Sequence, residues 1–149
     1  MNIFQKYLLL IITLYSIVGL IKGLRESLKG HAFSEAKYFY MAGAFVWGDM
    51  AVFGIFWIIA IIIVYSLNSW VFFLLIVSVF WFVRSLGETI YWFNQQFSPK
   101  RSESPEKFWH YKIFKNESIW FINQIFWQCI TVISIITTLY FASLWVASF

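Results

Sequence analysis

Charge is the scarcest property of this chain. Asp, Glu, Lys and Arg supply 12% of its 149 residues, where a soluble domain carries about 25%. A chain with 61% hydrophobic residues cannot cover itself with polar surface, so a water-soluble fold is excluded and the bilayer is the expected solvent. Cysteine is nearly absent: Cys129 stands alone inside an apolar run, so no internal disulfide is available. Catalytic signatures are missing too. There is no Gly-rich phosphate loop, no CxxC, no HExxH and no Ser–His–Asp pattern with a supporting turn. His31 and His110 are two histidines without ligand spacing; with Glu88 or Glu117 they could assemble a metal site only by distant approach, so neither a metal nor any other cofactor is expected.

What is present is length in apolar runs. A helix needs about 20 mostly apolar residues to cross ~30 Å of hydrocarbon. Four segments qualify, at about residues 3–24, 39–65, 70–97 and 119–146. In lipid each must be helical, because every backbone amide needs an internal partner. The expected fold is therefore all-α: one domain over residues 1–149, an integral membrane four-helix bundle. The first run follows Lys6 but lacks a small-residue cleavage site, since Lys22 and Arg25 come next; it reads as an uncleaved anchor. Aromatics reach 23%, with nine Trp and eight Tyr, and suit the two membrane interfaces.

Only Leu67, Asn68 and Ser69 join the second and third runs, which predicts a tight helical hairpin. The other connections are long and basic. The first carries Lys22, Arg25, Lys29 and Lys37 with its flank; the third carries Lys100, Arg101, Lys107, Lys112 and Lys115. The opposite side has Lys6 alone. By the positive-inside rule both long connections are cytoplasmic and both termini lie outside, in a multi-pass protein of the cell membrane. The formal charge of +4 then reflects loops facing anionic headgroups, not nucleic acid. Within the third connection, Ser98-Pro99 marks the end of the third run. Ser104-Pro105-Glu106 looks like a helix start, followed by aromatics interleaved with lysines; this suits either a short interfacial helix before the fourth run or the first turns of that run itself.

Charged side chains inside apolar spans are a functional hypothesis by default. Arg84 lies about 15 residues from the hairpin, roughly 22 Å at 1.5 Å per residue. Arg84, Glu88, Tyr91 and Gln95 follow i, i+4, i+7, i+11 on one side of the third span. Glu117, Gln124 and Gln128 share a side of the fourth, and Asp49 sits at a similar level on the second. The simplest arrangement has these faces meeting, with Arg84 neutralised by Glu88 or Asp49. An arginine between two carboxylates keeps both ionised and makes them poor acids, but it suits a phosphate or carboxylate headgroup. Residues 88–97 and 117–126 match at five of ten positions. The match stops there and uses residues abundant throughout the chain, which favours chance over duplication. Ser16, Gly19 and Gly23 on the first span, and Ala44, Gly48 and Ala51 on the second, form small-residue faces for helix packing.

Three functions fit this pattern. The shortage of motifs favours a non-catalytic membrane component, or a bundle that binds a lipid headgroup or small anionic solute. A transporter or channel would need a homo-oligomer, since four helices leave little room for a pore. A lipid-modifying enzyme would use Arg84 to hold the headgroup and Glu88 or Asp49 as acid or base.

Overall fold

The structure, a computed structural model, describes residues 1–98, 106, 109–114 and 118–149. Four helices dominate: α1 (Ile3–Leu28), α2 (Trp47–Leu67), α3 (Trp70–Phe97) and α4 (Ser118–Val146). Each is long and apolar enough to cross a membrane. Two 3-10 turns, Lys37–Ala42 and Trp109–Lys112, lie in the long connections. Among the described residues there is no strand, only an isolated bridge between Glu35 and Val46. The helix start expected at Ser104 and Pro105 lies outside the described residues, as does Glu117. The chain divides into two compact units, Met1–Ile76 and Val77–Phe149, and the division falls within α3.

In the first unit, α1 opens with a reciprocal cap. The Gln5 amide donates to Asn2 Oδ1 at 2.9 Å, and the Asn2 amide donates to Gln5 Oε1 at 2.8 Å. This satisfies two of the donors that a helix start leaves open. α1 packs antiparallel on α2 along the small-residue face. Ser16, Gly19 and Gly23 are buried. A Cβ at Gly23 would lie 2.7 Å from the Ala51 nitrogen and 2.9 Å from the Trp47 oxygen. The two backbones are therefore in contact, which only a residue without a side chain permits. Gly54 makes the matching approach from α2, against Leu20. At the far end Lys6 Nζ stands 6.0 Å from the Tyr65 ring centroid, so the start of α1 and the end of α2 lie together.

The second helix begins at Trp47, not at Phe39 where the apolar run begins. Residues 37–42 instead form a 3-10 turn that ends at Gly43, whose φ of 76° is left-handed. Backbone groups after it are taken by the preceding loop: Ala36 N–H donates to Phe45 O at 2.8 Å, and Trp47 and Gly48 N–H donate to Ser34 O and Ala32 O at 3.1 and 2.8 Å. Asp49, in the first turn of α2, accepts from the Phe45 and Val46 amides at 3.0 and 3.4 Å. These bonds fix the start of α2 where hydropathy alone sees no boundary. Tyr15 Oη and Trp57 Nε1 donate to the carbonyls of Tyr38 and Ala42 at 2.5 and 3.2 Å, anchoring the turn to both helices. Ala44 thus lies before α2, in the connection. The α2–α3 hairpin is as tight as expected: Asn68 takes the left-handed conformation at φ 48°, and Ser69 Oγ accepts from the Phe72 amide at 3.2 Å.

Candidate functional site

The charged pair of α3 belongs to the second unit. Arg84 Nη2 lies 2.9 Å from Glu88 Oε1, and the two side chains are only 16% and 14% exposed. One helical turn separates them. Arginine preceding glutamate is the less favourable order for an i, i+4 pair, given the helix dipole. The pair is therefore better explained by its apolar surroundings than by helix propensity. The other carboxylate oxygen of Glu88 accepts from Trp92 Nε1 at 3.2 Å. Arg84, Glu88 and Trp92 form a ladder along one side of α3, at positions i, i+4 and i+8.

The face that meets α4 lies beside this ladder. Ser85 is fully buried and accepts from Thr131 Oγ1 at 3.0 Å across the two helices. Its own hydroxyl donates to Trp81 O at 2.6 Å. One end of the interface is aromatic: Trp92 and Trp120 stack with ring centroids 5.8 Å apart and planes 24° from parallel. Ile119 completes the buried cluster, with Tyr111 and Trp127 packed against it. Beyond it, Gln96 Nε2 donates to Gln124 Oε1. Asn123 Nδ2 is buried with no hydrogen-bond partner among the described residues.

Measured against the sequence, the structure joins Arg84 to Glu88 and draws Gln124 into the α3–α4 interface. It is Gln96, not Gln95, that Gln124 meets; Gln95 is buried on the neighbouring position. Tyr91 is 37% exposed and stands edge-on to Trp92, centroids 5.1 Å apart. Gln128 is exposed, on a side of α4 turned away from the α3 contacts. Asp49 serves in the first unit as the cap of α2. His31 Nδ1 lies 3.3 Å from Glu26 Oε2, beside the Lys29–Glu26 ion pair at 2.6 Å.

Ser85, Trp92, Gln96, Trp120 and Thr131 were not singled out by the sequence reading. A signal for the two on α4 exists: Trp120, Gln124, Trp127, Thr131, Ser134 and Thr138 recur at spacings of 4, 3, 4, 3 and 4. That is the spacing of a helix-packing seam, and small hydroxyl residues in such a seam bring two membrane helices close.

Comparison with protein-family models, curated proteins and solved structures finds no match.

Proposed function

We propose that this chain is a multi-pass membrane protein of non-catalytic role, whose polar side chains on α3 and α4 hold its helices in register. Its four apolar helices span the bilayer, with the Lys- and Arg-rich connections in the cytoplasm and the 68–69 turn outside. The observation that carries the reading is the state of Glu88: one oxygen faces Arg84 and the other accepts from Trp92. A carboxylate engaged at both oxygens and neutralised by its neighbour is poorly suited to take or give protons. It is well suited to position a guanidinium and an indole along one helix. The hydroxyl pair Ser85–Thr131 and the amide pair Gln96–Gln124 supply the cross-helix bonds.

A second reading rests on Asn123, whose buried Nδ2 is a donor without a partner among the described residues, next in sequence to Gln124 of the amide pair. An anionic headgroup or small anionic solute at the cytoplasmic end of α4 would accept from it.

Thermal unfolding in mild detergent, with and without added phosphatidylglycerol, separates the two. On the first reading Arg84→Ala strips the counter-ion from Glu88 and destabilises the protein, with lipid or without. About 3–5 kcal/mol is the cost of breaking a fully buried pair, and the partial exposure here sets that as an upper bound. On the second reading the lipid raises the unfolding temperature of the parent protein, and Asn123→Leu removes that rise. An unfolding temperature that Arg84→Ala leaves unchanged would sink the structural reading.

A further inference from the structure

The exposed side of α4 carries its own seam. Phe121, Ile125, Gln128, Val132, Ile135 and Leu139 repeat at spacings of 4, 3, 4, 3 and 4, and all six are exposed. The seam is rotated by one residue, about 100°, from the one that meets α3. α4 is also the least covered of the four apolar helices. Lipid would satisfy five of these side chains. It would not satisfy Gln128, whose amide makes no hydrogen bond among the described residues. Ten residues separate Gln128 from the start of α4, roughly 15 Å. With α4 centred in the bilayer, that places its Cα about 8 Å inside the ~30 Å hydrocarbon layer. A carboxamide at that depth, facing acyl chains, has both donors and its acceptor unmet.

We infer that this seam is where a second copy of the chain docks, with Gln128 paired to the same residue of that copy. The inference rests on the membrane-spanning reading above. Two copies inserted with the same orientation are related by a two-fold axis along the membrane normal, so their α4 helices run parallel. In parallel helices a heptad position faces itself. A carboxamide is its own complement: each Nε2–H donates to the other copy's Oε1, closing two bonds without any other residue type. The apolar residues of the seam interleave at the shallow crossing angle that 4–3 spacing favours. A shallow apolar depression beside Gln128, lined by Ile125, Cys129, Val132 and Ile133, offers a hole for the opposing side chain. One polar residue in an otherwise apolar seam fixes register, and any sliding of one helix along the other separates the amides.

The test uses the full chain reconstituted in phosphatidylethanolamine–phosphatidylglycerol vesicles. Flotation with the vesicles and resistance to alkaline extraction come first; a chain that fails them overturns the membrane reading and this inference with it. In a Cys129→Ala background, oxidation of Val132→Cys then gives a disulfide-linked dimer, while Phe126→Cys, on the far flank of α4, does not. Association measured by energy transfer between labelled copies weakens about threefold to thirtyfold in Gln128→Leu, the range of one to two interhelical hydrogen bonds in membranes. A chain that floats and resists extraction overturns the α4 interface alone if Val132→Cys crosslinks no better than Phe126→Cys. It does so equally if Gln128→Leu leaves association unchanged. Gln128→Asn, which keeps the carboxamide, retains more association than Gln128→Leu; the reverse order also overturns the pairing.

Discussion

Glu35 and Tyr40 show how two side chains in the first connection set each other's protonation. The Tyr40 hydroxyl donates to Glu35, and Lys37 Nζ stands 3.4 Å from the other carboxylate oxygen. The hydrogen bond from Tyr40, and secondarily Lys37, hold Glu35 below its ordinary carboxylate value. Burial, and then the hydrogen bond to Glu35 and its charge, push Tyr40 up to about 12. The signs are opposite. Glu35 is lowered, so its contribution is complete above the ordinary carboxylate value and fades as pH falls through the depressed one. Tyr40 is raised, so its contribution is complete below about 10, its unperturbed value, and fades as pH rises through about 12. The contact is therefore at full strength across the neutral range and fails at both extremes. Since Glu35 is more than half exposed, little stability depends on it. The sharper readout is its titration: Tyr40→Phe moves the Glu35 midpoint upward in a carboxylate-carbon NMR titration in micelles. An unmoved midpoint would discard the bond.

At the scale of elements, the first unit depends on two helix backbones in contact at Gly23. Gly23→Leu drives a side chain into the backbone of α2 at Ala51 and Trp47. Overpacking of a fitted interface costs typically about 1–3 kcal/mol, and contact with rigid backbone puts this case at the upper end. The expected result is a lower unfolding temperature in detergent, with Gly87→Ala, on a helix and with no atom near the added carbon, as the milder comparison. Much of this element-level structure was legible in advance. Small residues at 16, 19 and 23 announced a packing face, and Asn68 between two apolar runs announced the hairpin. The start of α2 was not, because apolar residues continue through 39–46 and hydropathy is blind to backbone hydrogen bonds. Gly43 in the left-handed region and Asp49 three residues after Val46 are the cues, and they are local turn and capping signals. The candidate site was half legible for a related reason. Arg84 and Glu88 stand out by charge, but the contact between α3 and α4 uses serine, threonine and tryptophan, which composition cannot tell from ordinary residues of an apolar run. Reading the side of a long helix also accumulates angular error: Gln95 and Gln96 differ by about 100°, enough to exchange one for the other as the partner of Gln124.

For the molecule as a whole, the asymmetry of charge makes a testable statement about sidedness. Asn68→Cys, in a Cys129→Ala background, should react with a membrane-impermeant maleimide added to intact cells. Lys29→Cys should react only after the membrane is opened. Both ends of this comparison lie in the first unit, where Lys6 and Tyr65 share one end and Lys29 follows α1 at the other. Labelling in the reverse order would invert the proposed topology and put the basic connections outside.

The division of the chain at Ile76 and Val77 also has a temporal side. Each unit is contiguous in sequence, so every contact within the first is between residues already synthesised when Val77 is added. Local contacts close quickly because little chain entropy is lost in forming them. At a translation rate of about 5–20 residues per second, the second unit takes on the order of 4–15 s to emerge. That far exceeds the microseconds to milliseconds in which helical domains rich in local contacts fold. The α1–α2 pair, with its anchored turn, has ample time to complete while α4 is still being made.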